Sequence, residues 1–151
     1  MGRSVLIFTD LDGSLLDHDG YSYECARPAL DRIRRLSVPL VFVTSKTRVE
    51  VERLQEKMGL REPFIPENGG GIFFPAGYRN FHIPGGVERG GKTLIPLGRS
   101  YPEIRRFFEE RKTRFGVRGA GDLSVEELAE ITGLTPEEAR LAKQREFTEP
   151  F

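Results

Sequence analysis

The sequence is poor in cysteine, in net charge and in long apolar runs. Its single cysteine, Cys25, excludes an internal disulfide and fits a reducing compartment, and we expect a buried, structural thiol there. The 23 basic and 23 acidic residues cancel, which leaves no overall field to hold nucleic acid or an anionic membrane. No apolar run approaches the ~20 residues of a membrane-spanning helix, and Asp10 and Asp12 interrupt the first run too early for a signal peptide. We therefore expect a cytoplasmic protein.

Histidine, asparagine, glutamine and methionine are also scarce, whereas arginine and glutamate abound. This composition resembles that of proteins from thermophiles. The two histidines are His18 and His82, and we interpret both as surface or loop residues rather than general bases. At 151 residues the chain is long enough to fold around a core of its own.

Strand and helix patterns alternate in the first half of the chain. Apolar and β-branched runs predict four strands, at residues 5–9, 38–43, 64–65 and 72–74. Helical spacing of apolar residues predicts a helix over residues 26–36. A capping box at Thr47 predicts a second helix, which Gly59 ends. The alternation predicts an α/β fold with a parallel sheet, whose first strand is central and buried.

The pattern changes after residue 75. Residues 75–99 are rich in Gly and Pro and predict irregular chain with one or two short strands, such as 93–95. Capping boxes then predict three helices, beginning at Ser100, Ser124 and Thr135. We expect two parts, a core over residues 1–78 and a second, helix-rich part over residues 79–151.

Two carboxylates, Asp10 and Asp12, directly follow the first predicted strand, and a glycine comes next. Open α/β sheets bind their ligands at the carboxyl ends of the strands, so Asp10 would be displayed there. Like charges this close repel each other unless a cation offsets them, and hard oxygen ligands favour Mg²⁺. The pair can also divide the roles of nucleophile and acid/base. Spacing alone leaves a second interpretation open, a polar Asp-Gly turn without chemistry.

The second predicted strand also ends in polar residues, Thr44, Ser45 and Lys46. In an adjacent parallel strand Ser45 would lie near Asp10, and the N-terminus of the following helix would add backbone N–H groups. Lys46 adds positive charge, whereas we interpret Arg48 as part of a solvated helix face. These residues predict an anion site beside the carboxylates.

The motifs FTDLDGSLL and VFVTSKT resemble the first and second signatures of the haloacid dehalogenase-like phosphatases. The resemblance implies that Asp10 attacks phosphorus to form an aspartyl-phosphate, and that Asp12 is the acid/base. It implies Mg²⁺ as cofactor, with Asp10 and the backbone carbonyl of Asp12 at the metal. It also implies that Ser45, flanked by Thr44 and Lys46, holds the phosphoryl oxygens.

Two longer segments, PFIPENGGGIFFP and GAGDLSVEELAEITGLTPEEARLAKQREFTEPF, look like mannosyl-3-phosphoglycerate phosphatases within that superfamily. This resemblance implies removal of phosphate from mannosyl-3-phosphoglycerate to give mannosylglycerate; the residues leave mannosyl and glucosyl substrates open. It implies an HAD-like (Rossmann-like) parallel sheet core with part of an α+β cap. Glu67, Asn68 and Gly69 would shape the site beside Asp10 as substrate- or phosphate-binding residues. Two cap residues, Arg145 and Glu149, would face the substrate.

The sequence departs from this family in its second half. A third signature, a Lys that neutralises the aspartyl-phosphate, and a fourth, an acidic loop at the metal, are not recognisable. Lys92 and Lys143 are poor substitutes for the third, and Asp122 fits a helix start better than an acidic loop. We interpret the chain as the N-terminal portion of such a phosphatase, with an incomplete core and impaired activity. An uncovered strand edge and apolar face would then favour self-association or low stability.

Two other functions remain open. GVERGGKT, residues 86–93, matches the phosphate-binding P-loop pattern, although Pro84 before it and Pro96 after it leave no helix N-terminus for phosphate. The other is a catalytically inactive half that holds a cation or ligand and needs a partner chain.

Overall fold

The computed structural model describes residues 5–17 and 20–151 of the chain. The strands of this part are β1 (Ile7–Thr9), β2 (Leu40–Val43), β3 (Phe64–Ile65), β4 (Gly71–Pro75), β5 (Val87–Arg89) and β6 (Lys92–Pro96). The α-helices are α1 (Arg27–Arg35), α2 (Arg48–Met58), α3 (Tyr101–Phe115), α4 (Val125–Thr132) and α5 (Pro136–Ala142). His82 is exposed, as expected, whereas His18 lies outside the described residues.

All six strands of the described chain form one sheet, in the order β1-β2-β3-β4-β6-β5. β1, β2 and β3 are parallel, and α1 and α2 connect them. β4, β6 and β5 continue the sheet in antiparallel pairs. The predicted α/β fold is confirmed, with a sheet that is parallel in its first half and antiparallel in its second.

Capping residues start and end the helices where the sequence predicts. Thr47 Oγ1 accepts a hydrogen bond from the Glu50 backbone N–H at 3.4 Å, and the Glu50 carboxylate accepts one from the Thr47 N–H at 2.7 Å. Gly59 ends α2 in the left-handed region, with φ of 61°. The other three capping boxes, at Ser100, Ser124 and Thr135, begin α3, α4 and α5. Local sequence therefore sets these boundaries.

The two faces of the sheet differ in what covers them. Strand register aligns Phe42, Phe64 and Phe73 on one face, where all three are 0% exposed and pack with side chains from α1 and α2. The opposite face carries an apolar groove of about 380 Å³ between Phe8 and Phe74. Phe8 is 58% exposed. One face thus forms the core, and the other is open in the described chain.

Two sequence-based expectations about burial are wrong. β1 is neither central nor buried in the described residues, because β2 is its one neighbour and Val5, Leu6 and Phe8 are each more than half exposed. Cys25 is exposed as well, since it lies in a surface 3₁₀ turn ahead of α1 that contains no buried residue. The apolar run at residues 5–9 predicts a strand, but it does not predict which strands lie beside it.

The sheet continues past the predicted boundary between residues 78 and 79, because β6 pairs with β4 along five residues. A smaller apolar cluster of Ala120, Leu128, Ala139 and Ala142 holds the helical part together. The division into residues 1–78 and 79–151 stays a prediction. The GVERGGKT segment forms the β5–β6 hairpin, in which Lys92 begins a strand rather than a helix. This geometry is incompatible with a P-loop.

None of the helices in residues 5–17 and 20–151 combines the length and the apolar character that crossing a membrane requires.

Asp122 closes a 3₁₀ turn ahead of α4 and joins it to α3. Its carboxylate accepts hydrogen bonds from Lys112 Nζ at 2.8 Å, from Arg105 at 2.6 Å and from the Gly119 backbone N–H at 3.0 Å. These donors hold the pKa of Asp122 well below its ordinary value of 3.8. Asp122 therefore has a structural role at a turn, in agreement with its interpretation as a helix-start residue.

We expect Asp122→Asn to lower the melting temperature by roughly 4–8 °C at neutral pH, because the amide carries no charge for the two cations. The depressed pKa means that the carboxylate stabilises the fold above about pH 4 and that this stabilisation is lost as the pH falls further. The difference between the wild type and the variant should therefore shrink in acid. Thermal unfolding followed by circular dichroism measures it. Asp31→Asn, at an exposed position of α1, is the control; equal effects of the two substitutions would contradict this account.

Candidate functional site

The carboxyl ends of β1 and β2 bring the two polar motifs to one edge of the sheet. Thr9 pairs with Phe42, which sets Asp10 level with Val43, the last residue of β2. Thr44 and Ser45 follow directly, and both Asp10 and Ser45 are exposed there. The structure therefore displays the first carboxylate and the predicted phosphate-binding hydroxyl at the same edge.

The loop after β1 is anchored between its two carboxylates. Asp10 Oδ1 accepts a hydrogen bond from the Leu11 backbone N–H at 2.7 Å, and the Leu11 side chain is fully buried. The Leu16 N–H in turn donates to the Leu11 carbonyl at 2.8 Å. Burial of Leu11 thus fixes the loop while Asp10 and Asp12 remain at the surface.

Lys46 connects the two loops. Its Nζ lies 3.1 Å from Asp12 Oδ1 and 5.1 Å from the centre of the Tyr21 ring. The Lys46 backbone N–H donates to Thr44 Oγ1 at 3.2 Å, and Thr44 is itself buried. The cation that the sequence assigned to phosphate also balances one of the two carboxylates. An anion bound at this edge would meet both charges of the ion pair.

Glu67, Asn68 and Gly69 form a turn behind the Thr44–Lys46 loop. Glu67 and Asn68 have positive φ values of 52° and 56°. In this conformation the Glu67 N–H donates to the Lys46 carbonyl and the Asn68 N–H to the Thr44 carbonyl, both at 3.0 Å. The turn therefore holds the loop that carries the polar residues, and contact of Asn68 and Gly69 with substrate stays a prediction.

The Glu67 side chain is buried against residues 146–148. It is 1% exposed. Its Oε1 accepts from the Glu146 N–H at 2.8 Å, and its Oε2 accepts from the Phe147 N–H at 3.0 Å and from Thr148 Oγ1 at 2.7 Å. The expectation that Glu67 binds substrate is corrected by this burial, because both carboxylate oxygens already hold the C-terminal segment.

Arg145 contacts the Ser45 loop, whereas Glu149 contacts α3 and the turn before α4. Arg145 donates to the Ser45 carbonyl at 3.0 Å. Glu149 accepts hydrogen bonds from the Tyr101 hydroxyl at 2.6 Å and from the Gly121 N–H at 2.8 Å. Burial, together with this carboxylate, raises the pKa of Tyr101 above its ordinary value. Glu149 is thus committed to α3 and the turn before α4, and its substrate contact stays a prediction.

Sequence reasoning missed Thr148 and misread Arg48. Thr148 lies between Glu67 and Arg145 and bonds to both. Arg48 is partly buried and pairs with Glu146 at 2.5 Å, so its interpretation as a solvated residue is wrong. The Thr148–Glu67 and Arg48–Glu146 contacts join positions 81 and 98 residues apart, and no local pattern carries that information.

A cavity of about 400 Å³ opens beside Lys46. The loop after β1 contributes Tyr21 and Tyr23, α2 contributes Arg53, and α5 contributes Leu141. Arg53 also pairs with Glu137 of α5 at 2.5 Å, and both residues line the cavity. Aromatic, apolar and charged groups therefore surround a space of the size that small-molecule sites occupy.

The side chains at the strand edge offer hard oxygen donors. The described residues contain no cluster of three or more His, Cys, Asp or Glu side chains suited to a metal. Mg²⁺ does not require one, because it is commonly held by one or two carboxylates with water and phosphate oxygens in the remaining positions. The Asp10 carboxylate and the Asp12 backbone carbonyl fit a Mg²⁺ ion that binds together with a phosphate, and the Asp12 carboxylate stays paired with Lys46.

Comparison with known proteins agrees with this geometry. The family model of haloacid dehalogenase-like hydrolases matches residues 7–80. A glucosyl-3-phosphoglycerate/mannosyl-3-phosphoglycerate phosphatase of Persephonella marina is 52% identical over 97% of this chain, and one of Methanococcoides burtonii is 46% identical over 97%. A mannosyl-3-phosphoglycerate phosphatase of Pyrococcus furiosus is 38% identical over 95%. The match covers 54%, 54% and 58% of these proteins, so the chain spans about half their length.

Solved structures show the same fold. A Thermotoga maritima protein superposes with a TM-score of 0.60 at 19% identity, over 97% of this chain and 55% of that one. A haloacid dehalogenase-like hydrolase from B. subtilis gives a TM-score of 0.52 at 22% identity, over 73% and 34%. At such identities the likeness concerns the fold, and it confirms the predicted type of core.

Proposed function

We propose that the chain, which matches the haloacid dehalogenase-like hydrolases over residues 7–80, is a phosphatase acting on mannosyl-3-phosphoglycerate and yielding mannosylglycerate. The observation that carries the proposal is the arrangement of Asp10, Asp12, Ser45 and Lys46 at one edge of the sheet. Relatives named as phosphatases of this compound support the reaction class and the substrate. Two of them are also named for the glucosyl compound, which makes it a second substrate to test.

Asp10 is the proposed nucleophile. Its exposed carboxylate attacks phosphorus, the bond between phosphorus and the glycerate oxygen breaks, and an aspartyl-phosphate forms. Asp12 protonates the leaving oxygen and then takes a proton from the water that hydrolyses the intermediate. The Ser45 hydroxyl and the Lys46 ammonium hold phosphoryl oxygens, and Lys46 keeps Asp12 in place between the two steps.

Mg²⁺ is the proposed cofactor, with Asp10 and Asp12 as the residues that would hold it. When bound, it neutralises negative charge on the phosphate oxygens. Lys92 pairs with Glu52 at 3.0 Å, and Lys143 donates to the Ala120 carbonyl at 2.7 Å. Neither lysine stands in for the missing third signature. We therefore expect slow turnover by this chain alone.

The cavity beside Lys46 is the proposed place for the sugar and glycerate groups. It adjoins the Asp12–Lys46 pair, so a phosphate at the strand edge leaves the rest of the substrate in this space. Tyr21 and Tyr23 offer aromatic faces and hydroxyls to a sugar, and Arg53 offers positive charge near the glycerate carboxylate. A cytoplasmic location, supported by the single cysteine, suits a sugar phosphate substrate.

Phosphate release tests the proposal. The chain is incubated with mannosyl-3-phosphoglycerate or its glucosyl analogue, with Mg²⁺ or with EDTA, and inorganic phosphate is measured. We expect slow release that requires Mg²⁺. Release that is the same in EDTA would overturn the mechanism. A chain that binds phosphate with Mg²⁺ but releases none would instead be the ligand-binding half that the sequence left open.

Self-association is a further part of the proposal, because β1 has β2 as its one described neighbour and the apolar groove begins at Phe8. Sedimentation velocity should show concentration-dependent association of the wild type, and Phe8→Glu should abolish it by placing a charge in the apolar contact. Phe107→Glu, at an equally exposed phenylalanine of α3, is the control and should associate like the wild type. A wild type that stays monomeric at high concentration would refute this part.

A further inference from the structure

Residues 145–148 lie against the strand edge through built-in contacts rather than as a loose terminus. The Phe147 ring packs edge-on to Phe73 with centroids 6.4 Å apart. A Cβ atom at Gly70 would lie only 2.3 Å from Phe147 Cβ, so glycine is required where the segment packs against the residue before β4. Glu146 pairs with Arg48 of α2 at 2.5 Å and with Arg89 of the β5–β6 hairpin at 2.9 Å. Three elements of the core thus hold this short segment.

Within that segment, one hydrogen-bond relay leads from a buried carboxylate to the Ser45 loop. Thr148 Oγ1 donates to Glu67 Oε2 at 2.7 Å and accepts from Arg145 Nη1 at 3.0 Å. The same Arg145 nitrogen donates to the Ser45 carbonyl at 3.0 Å. Because the Thr148 hydroxyl donates its one proton to Glu67, its oxygen is oriented to accept a hydrogen bond from Arg145.

We propose that Thr148 and Glu67 are positioning residues, which hold Arg145 against the Ser45 carbonyl and thereby fix the loop that carries Ser45 and Lys46. The inference rests on the proposed function in so far as this loop holds phosphate. Glu67 also contacts the loop directly, because its backbone N–H donates to the Lys46 carbonyl at 3.0 Å. Residues 145–148 and the loop that carries Ser45 and Lys46 are therefore expected to move together.

Loss of the Thr148 hydroxyl has a defined consequence. Glu67 Oε2 loses one of its two donors in a buried place, and Arg145 loses the acceptor that orients it. The Ser45 carbonyl is then held by a side chain with more freedom, so the loop should open more often. Valine matches threonine in shape without the hydroxyl, whereas serine keeps the hydroxyl without the methyl group. This pair separates the relay from packing.

The test compares Thr148→Val with Thr148→Ser in the full chain by two measurements. The first is the affinity for inorganic phosphate in the presence of Mg²⁺, measured by calorimetry. We expect Thr148→Val to bind about 5–10-fold more weakly and Thr148→Ser to stay within about twofold of the wild type. The second is hydrogen exchange at the Lys46 N–H, which bonds to Thr44 Oγ1. Exchange should become faster in Thr148→Val alone, with the amides of α4 as the internal reference.

The outcomes separate this inference from the proposed function. A wild type that binds no phosphate would refute the function at this edge, whereas the exchange measurement would still decide the positioning role. Unchanged Lys46 exchange in a folded Thr148→Val, or equal effects of valine and serine, would overturn the relay. If the valine variant does not fold, Arg145→Lys replaces it; this variant keeps the charge and loses the geometry, and unchanged Lys46 exchange there would refute the proposal equally.

Discussion

Asp10→Asn should reduce Mg²⁺-dependent phosphate release by on the order of a thousandfold or more, because an amide cannot attack phosphorus. The substitution is nearly isosteric. The Asn side-chain oxygen can still accept the hydrogen bond that Asp10 Oδ1 receives from the Leu11 N–H at 2.7 Å, so the loop should keep its shape. Because Asp10 is exposed, we expect Asp10→Asn to leave the stability of the fold unchanged, so that unfolding does not explain its loss of activity.

Asp31→Asn provides the matched control for charge and chemistry. It removes one carboxylate from an exposed position of α1, outside both motifs, and should release phosphate like the wild type. Circular dichroism and melting temperatures establish that both variants are folded. Activity in Asp10→Asn comparable to that of Asp31→Asn would remove Asp10 from the chemistry and contradict the proposed mechanism.

Phe73→Ala should lower the free energy of unfolding by about 3–5 kcal/mol, the usual effect of deleting a fully buried aromatic side chain. Phe73 stacks on Phe64 at 5.2 Å between centroids and meets Phe147 edge-on, so it joins the sheet to the C-terminal segment. Urea unfolding measures the change. Far-ultraviolet circular dichroism is the signal, because the chain has no Trp whose fluorescence could report unfolding. We also expect faster hydrogen exchange in residues 146–148 of this variant.

Phe74→Ala tests which face of β4 is buried, in comparison with Phe73→Ala. Phe74 is the next residue of β4 and lines the open groove, where it is only partly buried. Its removal should cost the chain less than about 1.5 kcal/mol, because solvent can occupy the space that it leaves. The comparison is made at a concentration where the protein is monomeric, so that self-association cannot cover Phe74. A loss in Phe74→Ala as large as that in Phe73→Ala would then contradict this assignment of the two faces.

Local signals in the sequence predicted most of the elements. Capping boxes at Thr47, Ser100, Ser124 and Thr135 begin four of the helices, and short apolar runs mark the strands. Each signal depends on residues within one turn of helix or one strand, so it can be read without the fold. The polar ends of β1 and β2 were predictable for the same reason, because parallel strands place their carboxyl ends together.

The contacts that organise the site could not be predicted in this way. Glu67 looks like a polar turn residue in the sequence, yet it is buried because residues 146–148 supply three donors to it. The exposure of β1 depends on which strands lie beside it, and apolar composition does not report neighbours. The first case is decided by hydrogen bonds across about 80 residues, and the second by the one strand that pairs with β1 in the described chain.

Trapping the covalent intermediate tests the proposed chemistry most directly. The chain is mixed with mannosyl-3-phosphoglycerate and Mg²⁺, quenched in acid and digested, and its peptides are weighed by mass spectrometry. We predict that one phosphoryl group is added to the peptide that contains Asp10 and that it is absent from Asp10→Asn. Phosphate release without any adduct on Asp10, or an adduct that persists in Asp10→Asn, would contradict the assignment of Asp10 as the nucleophile.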